Sequence, residues 1–302
     1  MSEPRELVRA ALGAERAWVV GGAVRDALLG RPVDDVDVAL EGEARSAAAA
    51  VARAAGPGAA RFELSDAFGT WRVVGPGHAW QVDLTPVRGG SIDADLALRD
   101  LTINAMAEPA GGGALVDPAG GEADLAARRA RAVSDRAFAD DPLRCLRVAR
   151  FACELDLDVE PRTAQLARDH APQLAGVAGE RVFAELKRIL AAPRIRDGLA
   201  LMAQLRVTEQ VLPELTALDG VEQNRYHSAD VLGHTLAVLD ETLALEADPG
   251  AVLGAEHADA IGALLSEPLG DGLTRREGLR LGALLHDAAK PQTRAVNPDG
   301  ST

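Results

Sequence analysis

In the first third of the chain, apolar residues run in short blocks or alternate with polar ones between glycines and prolines, whereas later they recur every three to four positions. The first pattern predicts strands, the second helices. Residues 1–16 read as a helix with Leu7, Val8 and Leu12 on its apolar side. The block 17–20 predicts a buried strand, Gly21-Gly22 a tight turn, and Ala23 onward a short helix stopped by Gly30 and Pro32. Val36 and Val38 then carry a second strand, 43–55 an alanine-rich helix, and 70–74 and 79–87 two further strands. From Gly121 onward no strand pattern returns, and 123–133, 142–155, 161–170, 179–190, 194–205, 231–245 and 275–286 each predict an amphipathic helix. The fold class is therefore α+β: an N-terminal mixed β-sheet head with helices, followed by an all-α C-terminal region.

Composition narrows this picture little. A chain of 302 residues with 3% aromatics packs mainly through aliphatic side chains and has room for two or three domains. We divide it at 1–118, 119–220 and 221–302. Without a span-length apolar run or a signal-peptide pattern, the expected location is the cytoplasm, with no membrane partner and no stable protein partner. Cys145 and Cys153 lie on one predicted helix, so neither a disulfide framework nor a cysteine zinc site is expected. The net charge of −14 argues against a simple nucleic-acid binder. Between Arg128 and Arg150, however, seven arginines face Asp135, Asp140 and Asp141, a basic island in an acidic protein.

Chemistry enters where the pattern is tightest. Strand geometry places Asp35 and Asp37 on one face, and two adjacent carboxylates are best tolerated with a divalent cation between them. Mg2+ suits such a pair, because it takes one or two carboxylates and completes its shell with water and phosphate oxygens. The glycine turn before them brings main-chain N–H groups close to a ligand, and Arg25 adds a charged donor for phosphate. Asp83, on the polar face of the strand 79–87, is a possible third carboxylate. Asp141 is placed to cap the helix that opens at Pro142, and Arg144, Arg147 and Arg150 follow as successive neighbours along its surface. Either a solvated face or an anionic ligand accounts for those arginines.

Together these motifs resemble the bacterial class II tRNA nucleotidyltransferase (CCA-adding enzyme) and poly(A) polymerase family, from about Trp18 to Leu190. Gly21-Gly22-Ala23-Val24-Arg25-Asp26 with Asp35-x-Asp37, then Arg99-Asp100-x-Thr102-Ile103-Asn104-Ala105, and Asp141-Pro142-Leu143-Arg144-x-Leu146-Arg147-x-x-Arg150 stand in the family's order. Leu98 and Leu101 depart from the family's usual arginine and phenylalanine.

The resemblance implies that 1–118 is the nucleotidyltransferase head, 119–220 a helical nucleotide-selecting and RNA-binding neck and body, and 221–302 a partial HD-type domain. It implies that Asp35 and Asp37 are catalytic and hold two Mg2+ ions, and that Gly22, Arg25 and Arg99 contact triphosphate or ribose. Asp141 and Arg144 would read the incoming base, with Arg147 and Arg150 supporting the nucleotide. The implied reaction is template-independent addition of CCA, or part of it, to tRNA 3′ ends from CTP and ATP with release of pyrophosphate. The alternatives are a bacterial poly(A) polymerase, or an HD phosphohydrolase with a nucleotide-binding N-terminal domain. His234 and His286-Asp287 match early HD motifs. The expected HD metal site is incomplete, with His227 and His234 structural.

Overall fold

The computed structural model describes residues 3–222 and 230–293. Two compact units emerge, one from residues up to 144 together with 157–166, the other from 145–156 together with 167 onward.

The first unit begins with helix α1 (Pro4–Leu12), strand β1 (Ala17–Val20), helix α2 (Gly22–Leu28), strand β2 (Asp35–Leu40) and helix α3 (Ala44–Ala55). Strands β3 (Ala60–Ser65), β4 (Thr70–Val74) and β5 (Gln81–Pro86) follow, then helix α4 (Ile92–Ala97) and strand β6 (Ala107–Pro109). The six strands form one mixed sheet in the order β3-β4-β5-β2-β1-β6, with β2 and β5 parallel and the other pairs antiparallel.

Register explains why the two faces differ. Val36, Val82 and Val73 lie side by side, as do Val38 and Leu84, and all five are buried. Helices α1 and α3 cover that face; α1 packs on β1 and β2, α3 on β4 and β5. A period of two then sends the intervening residues of β2, Asp35, Asp37 and Ala39, to the opposite face. Ala39 is covered there by Ile92 and Leu96 of α4, in a small apolar cluster with Val20, Ala105 and Ala107. Asp35 and Asp37 remain exposed, so the cover of α4 ends where the carboxylates begin.

The predicted elements of the head are present, with three additions, β3, α4 and β6. Two further departures follow from local backbone. The helix expected over 123–133 stops after α5 (Gly121–Ala126), because Arg128 adopts a left-handed φ of 52° that no helix continues through. The chain instead forms β7 (Arg129–Ala130), which comes before helices α6 (Ala137–Asp140) and α7 (Leu143–Leu155) and pairs in parallel with β8 (Asp158–Val159). Strand structure therefore does return after Gly121. Helix α8 (Pro161–His170) closes the first unit and continues into the second.

The second unit is predominantly helical, with α9 (Gly179–Ala191), α10 (Ile195–Gln204) and the helices Val231–Ala247 and Arg275–Leu285 packing around Leu186, Ile189, Leu239 and Leu284. A two-stranded ribbon, Pro268–Gly270 with Leu273–Thr274, is a second exception to an all-helical continuation. Among the described residues no helix is long and apolar enough to cross a membrane.

Candidate active site

The sheet assembles the carboxylates from non-adjacent parts of the sequence. Asp37 stands directly opposite Asp83 across the parallel β2-β5 pair, and Asp83 stands opposite Arg72 of β4. Arg72 grips Asp83 with two hydrogen bonds, Nε to Oδ1 at 2.6 Å and Nη2 to Oδ2 at 2.7 Å. The expected third carboxylate is thus beside Asp37 and already shares its charge with a guanidinium. Asp83 and the charges of Asp35 and Asp37 raise the Arg72 pKa in turn.

Part of the Asp37 residue meets water, yet protein atoms crowd its carboxyl. Burial raises that carboxyl above the ordinary carboxylate range, Asp83 and Asp35 add to the rise, and Arg99 opposes it. Repulsion of this kind is what a divalent cation relieves, and two exposed carboxylates with a third alongside are a donor set that fits Mg2+.

On the β1 side, the turn at Gly21 has φ 70° and ψ −129°, a conformation essentially restricted to glycine. A Cβ added there would come within 2.7 Å of Arg99 Nη1, whereas one added at Gly22 would meet only ordinary contacts with Arg25 at 3.5 Å. Gly21→Ala is therefore expected to destabilise the protein by about 1–3 kcal/mol and to displace Arg99, and Gly22→Ala to do neither. Urea denaturation of the two variants side by side checks this.

Each polar residue of the Arg99–Asn104 motif has a task. Arg25 is buried and donates from Nη1 to Asn104 Oδ1 at 2.5 Å, while its Nε and Nη2 hold Asp26 at 2.9 and 2.8 Å. Asn104 Nδ2 donates to Asp100 Oδ1 at 3.1 Å, and the Leu101 amide donates to the same oxygen at 2.8 Å. Thr102 donates to Asp124 at 2.7 Å, where Arg131 also converges. Arg25 and Arg99 are thereby fixed on either side of the glycine turn.

Asp95, four positions before Arg99 on α4, is the residue that sequence reasoning missed here. It is buried, accepts from Arg99 Nη2 at 3.0 Å and from Arg88 Nε at 2.8 Å, and so holds Arg99 toward the turn. Burial pushes its carboxyl up, but the hydrogen bonds and charges of Arg88 and Arg99 outweigh that and hold it below the usual range. A depressed folded pKa contributes stability that is present above the unfolded value near 4 and is lost as pH falls through the folded value. Asp95→Asn is expected to cost about 3 kcal/mol at pH 7, a difference that narrows below about pH 4. Denaturation series at the two pH values test it.

The helix-opening motif divides into separate tasks. Asp141, in extended conformation, accepts from the Leu143 amide at 3.3 Å and so caps α7 as expected. Arg144 clasps three carbonyl oxygens, of Leu98 at 2.7 Å, Ala137 at 3.0 Å and Arg99 at 3.1 Å, tying α7 to the segment that carries Arg99.

In the second unit, Arg147 and Arg150 both reach Glu185 of α9, at 3.1 and 2.8 Å. The surface position expected for Arg150 is not what the structure shows. Arg150 is 2% exposed, with its guanidinium 3.9 Å from the Phe151 ring centroid, because its face of α7 turns inward toward Glu185. Burial pulls its pKa down to about 10 and Glu185 opposes the fall, so it stays charged at neutral pH.

The basic island is partly neutralised: Arg129 and Arg131 pair with Asp124, and Arg136 with Asp140. His234, His286 and Asp287 do come together, with Nε2 to Asp287 Oδ2 distances of 3.8 and 3.1 Å, but Lys290 takes the same oxygen at 2.7 Å. His227 lies outside the described residues.

Comparison with known proteins agrees with this geometry. Residues 17–74 and 80–131 match the poly A polymerase head domain, and 156–218 match a probable RNA and SrmB-binding site of polymerase A. The CC-adding tRNA nucleotidyltransferase of Geobacter sulfurreducens is 41% identical over 280 residues, 92% of this chain and 61% of that protein. The A-adding tRNA nucleotidyltransferase of Deinococcus radiodurans is 37% identical over 288 residues, 94% of this chain and 59% of that protein. A crystal structure of a tRNA nucleotidyltransferase complexed with a primer tRNA and an incoming ATP analog superposes with a TM-score of 0.69 at 28% identity, covering 94% of this chain and 75% of that one. The chain spans about three fifths of the length of the relatives it matches.

Proposed function

The chain belongs to the poly(A) polymerase head-domain family, and from that premise we propose that it adds nucleotides from CTP and ATP to tRNA 3′ ends, releasing pyrophosphate. The observation that carries this reading is the pair Asp35 and Asp37, exposed on the open sheet face with Gly21 and Arg99 at one side. Nucleotidyltransferases of this family use divalent metals, commonly Mg2+; here Asp35 and Asp37 would hold two ions, with Asp83 alongside. Bound there, the cations would lower the pKa of an attacking hydroxyl and offset charge on the phosphate oxygens.

The chain's own residues do the rest. Arg99, oriented by Asp95, draws the triphosphate to the glycine turn, where the Gly22 backbone permits close approach. Arg25 keeps that turn in shape through Asn104, and Arg144 does the same for the Leu98-Arg99 backbone. Asp141 accepts from the exocyclic amine of the incoming base, and Arg144 supplies donors to it. Arg147 and Arg150, fixed by Glu185, support the nucleotide through α7.

The relatives include CC-adding, A-adding and multifunctional CCA proteins, so the extent of addition is the open part of the substrate assignment. It is tested on tRNA transcripts ending before the CCA triplet, after its first C and after its second. A CC-adding enzyme extends only the first two, an A-adding enzyme only the third, and a complete one all three. Extension of none would overturn the proposal.

A further inference from the structure

The six-stranded sheet ends in two unlike edges. At one end β6 is three residues long, and its outer side is taken by Val116, which exchanges main-chain hydrogen bonds with Ala107 at 2.8 and 2.9 Å. At the other end β3 runs for six residues, pairs with β4 alone, and leaves every residue from Ala60 to Leu64 exposed. An edge of this kind presents a row of main-chain donors and acceptors to any strand that can lie beside it.

The side chains of β3 restrict which strand that is. Arg61 and Glu63 stand opposite Val73 and Trp71 of β4, on the face covered by α3, while Phe62 stands opposite Arg72 on the open face. Arg61 rests over the Trp71 ring at 5.8 Å and donates to the Arg45 carbonyl at 3.4 Å. Among the described residues it has no carboxylate partner, and Glu63 has no cationic one. Phe62 is 46% exposed although large and apolar. A bulge between Glu63 and Ser65 ends the regular part of the edge, so any ladder formed there is short.

Charge decides the partner and its register. A second copy of β3 laid antiparallel beside the first, with the open faces of both sheets on one side, pairs residues of like face, because the side-chain period is two. Such registers are centred on Arg61, on Phe62 or on Glu63. The first sets Arg61 against Arg61 of the second copy and the third sets Glu63 against Glu63, and like charges directly opposite are destabilising. Centred on Phe62, each Arg61 faces Glu63 of the other copy and the two Phe62 rings meet, one aromatic pair flanked by two ion pairs.

We propose that β3 is a self-association edge, through which two copies of this chain pair antiparallel at Arg61, Phe62 and Glu63, each Arg61 bound to Glu63 of the other copy. The row Asp37, Asp83, Arg72 and Phe62 that crosses one sheet then runs on into its counterpart, and both carboxylate sites open on the same side. This contact is far smaller than the roughly 20–30 residues a side of a stable interface, so the dimer is weak and reversible. Strands of other sequence are disfavoured, because they leave Arg61 and Glu63 facing groups that do not answer their charges.

The test is sedimentation equilibrium of the full chain, without RNA or nucleotide, at concentrations from micromolar to several hundred micromolar. The wild type should rise from the mass of one chain toward that of two. Arg61→Glu and Glu63→Arg should each weaken association about tenfold or more, since each turns both ion pairs into like-charge pairs. Combining the two changes in one chain should restore association, and so should an equimolar mixture of the single variants, whose edges are complementary. A wild type that keeps the mass of one chain throughout overturns the proposal. Association that persists undiminished in both single variants places the contact on another surface and overturns it too, as does a mixture of folded single variants that stays monomeric. Circular dichroism checks the fold of each protein. Should a charge reversal unfold the head, Glu63→Gln gives the same reading: it should weaken association about threefold, and an unchanged dimer overturns the proposal.

Discussion

Asp35→Ala or Asp37→Ala is expected to lower nucleotide incorporation by roughly a thousandfold or more while leaving the fold and RNA binding intact. Both side chains lie on the open face of β2, outside the packed valine rows that hold the sheet together, so neither removal opens a cavity. Losing either also relieves like-charge repulsion, since each neighbour raises the Asp37 carboxyl and the Arg72–Asp83 pair persists without them. Stability should therefore be unchanged or slightly higher even as activity disappears. Single-turnover incorporation measured beside urea denaturation separates the two effects. Retention of more than a few per cent of activity in both variants would remove these residues from the catalytic role.

The second large effect concerns base choice. Cytosine and adenine both present an exocyclic amine beside a ring nitrogen acceptor, while uracil and guanine present a carbonyl where the amine should be. An acceptor at Asp141 meets the first pair and opposes the second. A carboxylate has two acceptor oxygens, and Oδ1 of Asp141 accepts from the Leu143 amide. A mismatched polar pair in a desolvated site is worth roughly a hundredfold in discrimination or more, so Asp141→Ala should relax selectivity toward UTP and GTP while slowing CTP and ATP. The same change removes a helix cap worth about 1 kcal/mol, so its stability is measured alongside. A folded Asp141→Ala protein that still prefers CTP and ATP in full would place base reading elsewhere.

The readable parts of this chain are those governed by local rules. Alternation in 35–40 and 81–86 is enough to give β2 and β5 and the faces of Asp35, Asp37 and Asp83, and the need for glycine at a positive φ is visible in Gly21. Strand β3 escapes because its alternation is inverted: Phe62 faces the open side and Arg61 the side covered by α3, so the pattern does not announce a buried strand. Asp83 could be placed on a polar face, but not beside Asp37 and Arg72, because strand order is a long-range property. Arg150 shows the same limit. Its spacing from Arg147 is that of a surface neighbour, and only a carboxylate 35 positions later, Glu185, makes its burial tolerable. Asp95 was within reach, since a carboxylate four positions before Arg99 on a helix is a recognisable pair.

The central claim, that Asp35 and Asp37 support nucleotidyl transfer to an RNA 3′ end, is tested most directly by stoichiometry. The full chain is incubated with Mg2+, α-labelled CTP or ATP and a tRNA transcript lacking its 3′ triplet, and RNA-bound label is compared with pyrophosphate released. The account predicts one pyrophosphate for each nucleotide joined to the RNA, and loss of both in the Asp35→Ala and Asp37→Ala proteins. Nucleotide hydrolysis without labelled RNA, or labelling that survives in both variants, would contradict it.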